Sequence, residues 1–531
     1  MWLINTSTIK LERANPDALF STPYAILSHT WGKEEVTFED MIQQSPPTET
    51  RGYIKILKTC ELAQEQGISY AWVDTCCIDK RSSAELAEAI NSMFRWYKQA
   101  TVCFVHLEDL GSDGNPFREL KDCKWFKRGW TLQELIAPKE LWFYDRWWQF
   151  KGTKAKLVDL ICEITCIDYR VLVNIASLES IPLARRMSWA ANRKTTRVED
   201  VAYCLLGIFD VNMPMMYGEG PKAFERLQEE IIKQTTDMSI FAWKAKDKSQ
   251  QYRGILAQSP AEFAHCYRLR LAPSMRTGFE TTMTNKGLRL ETCLGDKDIL
   301  NLACQLPDSV GNKRNIGVYL TKTADGYVRS TPTDLFEATD PHTWVGARNQ
   351  IFIRKRVTHF VSEKLMKDLA MNITTYITIS PGYKMHTFAA KPADLWDQNG
   401  HAFITNNYPA FTGFLDFQVS DSSGSFVSSR IIVVCGLRKD IMGMVSCVAA
   451  VYSANNLDSE GILNCVKKYY ESHGDELYLG ELGNRIGILG GFREVCVLSK
   501  DGLHDLIVSA KVQEGLWGTG PRSIQVTVKG L

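Results

Sequence analysis

Residues 24–32 read Tyr-Ala-Ile-Leu-Ser-His-Thr-Trp-Gly, an apolar run that ends in polar residues and a glycine. The apolar part has the length of one buried strand, and its polar end indicates the start of a loop. Similar runs occupy residues 70–73, followed by Asp74, and residues 101–107 and 141–144. Four buried strands are therefore predicted within residues 1–150.

Helical periodicity separates these strands. Tyr53–Gln66 and Ser82–Gln99 each carry apolar residues on one helical face, and a shorter helix is predicted at Trp130–Ile136, before Pro138. Strands that alternate with helices of this length indicate an α/β domain with a parallel, doubly wound sheet. We assign residues 1–150 to this domain.

Two further regions follow. Residues 151–250 are predicted to be a helical extension, with helices at 157–164, 181–193, 196–206 and 220–235. Residues 251–531 contain recurring β-branched and aromatic runs, which predict an antiparallel β-rich domain for which a sandwich is one arrangement.

Composition excludes several classes of protein. The chain has 531 residues, 45% hydrophobic and 23% charged, with a net charge of +1. These values are typical of a globular protein and favour neither a nucleic-acid partner nor a membrane surface. No signal peptide or membrane span is predicted, and 15 scattered cysteines suit a reducing compartment, so we expect a cytoplasmic protein. No metal site is predicted, because Cys103 and His106 are better explained as a buried strand residue and an ordinary histidine.

Three sequence blocks closely resemble the fungal heterokaryon-incompatibility (HET) family. They are residues 24–32, residues 71–80 (Ala-Trp-Val-Asp-Thr-Cys-Cys-Ile-Asp-Lys) and residues 128–135 (Arg-Gly-Trp-Thr-Leu-Gln-Glu-Leu). Residues 186–243 resemble the helical extension that follows the domain in many members. The resemblance implies an effector of regulated cell death in non-self recognition, which self-associates on activation and responds to an unidentified partner protein.

The third block also resembles TIR domains that cleave NAD, in which Trp, three residues and Glu begin a helix. Trp130, Glu134 and Leu135 match that pattern. The resemblance implies a TIR-like, flavodoxin-like fold, NAD or a related nucleotide as substrate, and no further cofactor. Glu134 would then be the catalytic carboxylate, and Trp130 would stack against a ring of the substrate.

Side-chain placement gives a physical basis for this hypothesis. Residues four apart share a helix face, which sets Trp130 and Glu134 together. Ligands of doubly wound sheets bind beyond the carboxyl ends of the strands. The polar residues that follow the first two strands are Ser28, His29, Asp74 and Asp79. We therefore predict that the substrate contacts Ser28, His29, Trp31, Asp74, Asp79 and Trp130.

Each of these residues also has a plain structural explanation. Glu134 could be an exposed helix residue paired with Arg128 or Lys139, and Trp130 could belong to the core. His29 could be a general base or could bond a neighbouring loop, and the two aspartates could be turn or cap residues.

Function has alternatives as well. The N-terminal domain could be an NAD-cleaving enzyme, or a TIR-like module that signals by assembly without catalysis. A third hypothesis gives the main function to the β-rich region, as a binding domain for a partner or a small ligand.

Overall fold

The computed structural model describes residues 1–13, 22–43, 46–111, 119–272, 280–295, 298–307, 312–323, 326–339, 348–369, 372–391, 393–398, 401–405, 410–421, 430–439, 445–454, 494–497, 506–513 and 522–530. The chain divides into two compact units. The first comprises residues 1–248, 254–319 and 332–355, and the second comprises residues 249–253, 320–331 and 356–531. The three-part division at residues 150 and 250 stays a prediction.

Seven strands of the first unit form one mixed sheet. They are β1 (Trp2–Asn5), β2 (Lys10–Arg13), β3 (Ala25–His29), β4 (Tyr70–Trp72), β5 (Val102–His106), β6 (Leu141–Tyr144) and β7 (Phe150–Thr153). Their order is β2-β1-β4-β3-β5-β6-β7. The central strands β4, β3, β5 and β6 pair in parallel, which confirms the predicted parallel sheet. The sequence analysis missed the antiparallel edge strands β1, β2 and β7, which make the sheet mixed.

The order of the parallel strands defines a crevice. Along the chain, β3 is the first parallel strand, β4 the second, β5 the third and β6 the fourth. Across the sheet they lie in the order second, first, third, fourth. Such an order reverses direction between the first and third strands, where open α/β sheets bind their ligands. His29 of β3 and His106 of β5 are paired at this point, at the carboxyl ends of both strands.

The described residues of this part of the first unit include four α-helices. They are α1 (Phe38–Ile42), α2 (Arg51–Glu65), α3 (Ser83–Gln99) and α4 (Thr131–Ile136). The Ser82 side chain accepts the backbone N–H of Glu85 and caps α3. The ring of Trp72 is fully buried and makes edge contacts with Trp96 and Tyr97 of this helix.

The extension contains shorter helices than predicted. They are α5 (Val158–Thr165), α6 (Tyr169–Leu172), α7 (Leu183–Ser188), α8 (Asp200–Tyr203), α9 (Leu206–Phe209) and α10 (Lys222–Gln234). The predicted helix at 196–206 is only partly confirmed, since α8 and the first residue of α9 are helical but the chain just before this segment is held in extended form. The N–H of Lys194 donates to the Lys127 carbonyl at 2.7 Å, and its own carbonyl accepts from Gly129 at 2.8 Å.

The remainder of the first unit is β-rich. Its strands are β9 (Arg270–Leu271), β10 (Thr281–Thr284), β11 (Gly287–Thr292), β12 (Leu294–Gly295), β13 (Ile299–Pro307), residues 313–319 of β14 (Lys313–Thr323), β16 (Phe336–Ala338) and β17 (Asn349–Ile353). Their pairings are antiparallel, as predicted for this region.

The second unit contains β8 (Tyr252–Arg253), β15 (Gly326–Ser330), α11 (His359–Leu369), β18 (Ile373–Ile379), β19 (Tyr383–Lys391), β20 (Trp396–Asp397), β21 (Ala402–Phe403), β22 (Ala410–Asp421), β23 (Arg430–Lys439), β24 (Val445–Ala454), β25 (Glu494–Val497), β26 (Leu506–Gln513) and β27 (Arg522–Gly530). Strands β19, β22, β23 and β24 form one antiparallel sheet. A second sheet contains β18 and β27, which pair in parallel, an exception to the predicted antiparallel pattern. Buried side chains of both sheets share one apolar core.

Candidate functional site

A cavity of about 520 Å³ lies in the first unit at the carboxyl ends of the parallel strands. One group of lining residues comes from the N-terminal domain and includes His29, Trp31, Asp74, Trp130 and Glu134. A second group comes from the extension, within residues 194–217. The volume falls in the usual range for small-molecule sites in proteins.

The carboxyl group of Glu134 is buried, with only 4% of the residue exposed. Its Oε2 accepts a hydrogen bond of 2.5 Å from the hydroxyl of Ser28. That hydroxyl accepts in turn from the indole N–H of Trp125 at 2.7 Å, and Trp125 is fully buried. The plain alternative for Glu134, an exposed helix residue, is therefore wrong.

Burial also perturbs the acidity of this carboxyl group. Removal from water, together with the negative charge of Asp74, raises the pKa of Glu134 to about 8. The hydrogen bond from Ser28 and the positive charges of Arg128 and Arg193 oppose this rise. A strongly shifted carboxyl group in a cavity is a recognised mark of a functional site.

His29 is fixed by partners on both ring nitrogens. Its Nε2 lies 3.1 Å from Oδ1 of Asp74, and its Nδ1 lies 3.2 Å from Nζ of Lys55. An ammonium group can only donate, so Nδ1 is the acceptor and Nε2 carries the proton that is donated to Asp74. Because both nitrogens are engaged, this arrangement favours a positioning role for His29 over general-base catalysis.

Lys55 is itself a buried cation with three acceptors. Besides His29, its ammonium group donates to Oε1 of Glu35 at 2.6 Å and to the carbonyl of Thr30 at 3.1 Å. The same Glu35 oxygen accepts the backbone N–H of Gly32 at 2.6 Å. The loop after β3 is therefore tied to α2 through one lysine, a feature that the sequence analysis missed because the partners are 20 and more positions apart.

Asp74 joins this network to the cavity. The indole N–H of Trp31 donates to its Oδ2 at 2.8 Å, and the ammonium group of Lys80 lies 3.9 Å from the centre of the Trp31 ring. Burial opposes ionisation of Asp74, but the hydrogen bond from His29, the positive charge of Lys80 and the Trp31 bond outweigh it and lower the pKa of Asp74. Asp74 is thus the ionised carboxylate of the pair and Glu134 the readily protonated one.

Trp130 lies at the boundary with the extension. Its indole N–H donates to Oδ2 of Asp200 at 3.2 Å, and the hydroxyl of Tyr217 donates to Oδ1 of the same carboxylate at 2.9 Å. Burial raises the pKa of Asp200, although both donors lower it in part. All three residues line the cavity. Asp200 and Tyr217 were missed, because nothing in their local sequence indicates which residues they approach.

Asp79 is the predicted site residue that lies apart from the others. Its carboxylate pairs with Arg81 at 3.0 Å, and its backbone N–H donates to Glu85. Asp79 is absent from the cavity lining and acts as a turn residue. Ser28 does not line the cavity either, but its hydroxyl donates a hydrogen bond to Glu134, which does. The functional roles of these residues stay predictions.

Among the described residues, no group of three or more His, Cys, Asp or Glu side chains is arranged to hold a metal. Cys103 is fully buried, and burial raises the pKa of its thiol well above the usual value. Burial lowers the pKa of His106 to about 4, and the ring stacks on Trp148 at 4.4 Å. In the part of the chain that the structure describes, no helix is long and apolar enough to cross a membrane.

Comparison with known families identifies part of the chain. Residues 24–118, which include β3, β4, β5 and Asp74, match the family described as heterokaryon incompatibility protein (HET). This part of the chain is similar to a HET domain. The match ends before Glu134 and before the extension, so the HET model covers only one wall of the cavity.

Two further comparisons extend beyond the HET domain. Residues 222–286 match a family described as a domain of unknown function (DUF8212). Over 221 residues, the chain is 47% identical to the vegetative incompatibility protein HET-E-1 of Podospora anserina. The alignment covers 40% of this chain and 16% of that protein, so only a small part of the relative is represented. No solved structure matches the chain.

Proposed function

We propose that this protein is an effector of regulated cell death in heterokaryon incompatibility, and that its HET domain, a TIR-like domain, acts by cleaving NAD between nicotinamide and ribose. The HET match and the similarity to HET-E-1 support the biological role. The strand order supports the TIR-like assignment. The buried Glu134 carboxyl in the wall of a nucleotide-sized cavity is the observation that carries the enzymatic part.

The reaction requires little proton transfer. The bond between the ribose carbon and the nicotinamide nitrogen breaks, and its electron pair leaves with the nicotinamide, which is cationic in NAD and becomes neutral. The ribose carbon passes through a state that resembles an oxocarbenium ion, to which water adds with loss of a proton. An ionised carboxylate beside that carbon stabilises the developing positive charge.

Glu134 suits this role because its ionisation responds to the substrate. Burial and the charge of Asp74 raise its pKa to about 8, so the protonated form predominates at neutral pH. An approaching nicotinamide cation lowers the pKa of a nearby carboxyl group, since opposite charges favour the ionised form. The Ser28 hydroxyl keeps one oxygen of Glu134 in a fixed position.

The decisive measurement is nicotinamide release from NAD by the purified full chain, with and without forced clustering. We expect release by the wild type, and a loss of roughly 100-fold or more in Glu134→Gln, because the variant keeps the shape but cannot ionise. Glu140→Gln, at an exposed position six residues further along, is the matched control and should keep full activity.

The same variants separate catalysis from assembly. A signalling module without catalysis would kill cells equally well as wild type or Glu134→Gln, and would depend on surfaces away from the cavity. If the clustered wild type is folded and releases no nicotinamide, NAD cleavage is ruled out. We propose a cytoplasmic location for the protein. We also propose that it self-associates on activation, which measurements of its molecular mass in solution before and after the activating signal would test.

A further inference from the structure

Three cationic side chains lie on one wall of the cavity. Arg128, Lys194 and Arg197 all line this wall. Among the described residues, none of the three side chains has a carboxylate oxygen within the 4.0 Å that defines an ion pair. Arg197 lies over the ring of Tyr217, at 4.4 Å from its centre, which holds it at the cavity. Three cations that line one cavity without a direct ion pair offer a site for an anion.

The backbone forces two of these cations together. Arg128 and Lys194 are opposite each other in a parallel bridge between the HET-domain side and the extension. Two hydrogen bonds hold the bridge, from Gly129 to the Lys194 carbonyl at 2.8 Å and from Lys194 to the Lys127 carbonyl at 2.7 Å. Like charges directly opposite each other in paired chains repel, and this repulsion is relieved when an anion binds between them.

Gly129 makes this close pairing possible. A Cβ atom at position 129 would lie 2.5 Å from Cγ2 of Thr195 and 3.0 Å from Sγ of Cys204. Contacts this short mean that any side chain at position 129 would force the side chains of Thr195 and Cys204 in the extension to shift. The absence of a Cβ atom at Gly129 therefore lets the segment of Arg128 lie directly against the segment of Lys194.

We propose that Arg128, Lys194 and Arg197 form a phosphate subsite for the diphosphate of a nucleotide substrate. Arginine binds phosphate oxygens through two parallel hydrogen bonds, and lysine adds a point charge. This proposal rests on the proposed NAD cleavage and extends it. The diphosphate lies against the cationic wall, and the nicotinamide cation lies toward Asp74 and Glu134. Because Lys194 and Arg197 belong to the extension, residues 1–150 alone lack two of the three cations.

Titration of the full chain with ADP, followed by calorimetry, tests the subsite without any turnover. We expect ADP to bind wild type, with affinity that falls as salt rises. Arg128→Gln and Lys194→Gln should each weaken binding by roughly ten-fold, the size expected for one charge-assisted bond to phosphate. Lys222→Gln, an exposed lysine of the extension outside the cavity lining, is the matched control and should bind ADP as wild type does.

Two outcomes overturn the subsite. One is the absence of ADP binding to wild type, and the other is unchanged ADP affinity in a double Arg128→Gln, Lys194→Gln variant with an unchanged circular dichroism spectrum. If the double variant does not fold, the single Lys194→Gln variant decides, because this side chain is exposed. Glu134→Gln should keep full ADP affinity, since ADP lacks the nicotinamide ribose. ADP binding together with no NAD cleavage would therefore refute the proposed reaction and leave the subsite intact.

Discussion

The hydroxyl of Ser28 donates a hydrogen bond of 2.5 Å to Oε2 of Glu134, although the two residues are 106 positions apart in the chain. Ser28 comes from β3 and Glu134 from α4, so the bond joins the first parallel strand to the helix before the fourth. Trp125 donates to the same hydroxyl and so fixes the direction in which Ser28 can donate. This contact explains how a carboxyl group with little access to water is held at the cavity.

The rate of NAD cleavage should rise with pH. Burial raises the pKa of Glu134 to about 8, and the ionised form is the one that stabilises a cation. We expect kcat/KM of wild type to fall about ten-fold for each pH unit below that value. The measurement is a pH profile of nicotinamide release, and a flat profile between about pH 6 and 8 would remove Glu134 from the reaction.

Stability should show the opposite dependence on pH. In the folded protein the pKa of Glu134 is about 8 against an ordinary value of 4.5, so the folded state binds this proton more tightly. The resulting stabilisation is complete below about pH 4.5 and is lost as pH rises toward 8. Urea unfolding of wild type and Glu134→Gln should therefore give curves that diverge with pH, and a constant difference between them would contradict the assignment.

Ser28→Ala should both destabilise the protein and change the acidity of Glu134. The substitution leaves the buried indole N–H of Trp125 without an acceptor, which costs roughly 1–3 kcal/mol of unfolding free energy. It also removes a bond that lowers the pKa of Glu134, so the midpoint of the pH–rate profile should move upward. Ser83→Ala, at an exposed position at the start of α3, is the control and should change neither quantity.

Lys55→Met should destabilise the loop after β3. The variant leaves the Glu35 carboxylate and the Thr30 carbonyl without their donor, and loss of one partner of a buried pair costs about 3–5 kcal/mol. Lys58→Met, one turn away on the same helix, removes only a surface pair with Glu61 and should cost about 1 kcal/mol or less. Urea unfolding measures both, and equal effects would show that the Lys55 network adds nothing.

Gly129→Ala should separate the extension from the HET domain. Its Cβ atom would overlap Thr195, and overpacking of this kind typically costs about 1–3 kcal/mol. We expect weaker ADP binding as well, because Arg128 and Lys194 lose their pairing. Gly111→Ala is the control, since a Cβ atom there meets nothing closer than 3.6 Å. Unchanged ADP affinity in Gly129→Ala would indicate that the two segments act independently.

Prediction from sequence succeeded where local patterns sufficed. Strands β3–β6 and helices α2–α4 follow from apolar periodicity and from caps such as Ser82, which depend on residues close in sequence. Within the predicted helix at 196–206, α8 begins only at Asp200, because the Glu199 carboxylate accepts the backbone N–H groups of Gly218 and Gly220. A contact across about 20 residues overrode the local preference.

The sequence by itself determined the α/β character of the N-terminal region. It also singled out Ser28 and Asp74 as polar residues at the ends of buried strands, and Glu134 as an acidic residue on a helix next to the sheet. Only the tertiary structure decided that Ser28 bonds Glu134, that Lys55 holds His29, and that the extension supplies cations and Asp200 to the same cavity. Local periodicity arises from neighbours along the chain. A site arises from side chains far apart in sequence, and their distances are set by packing of the whole unit.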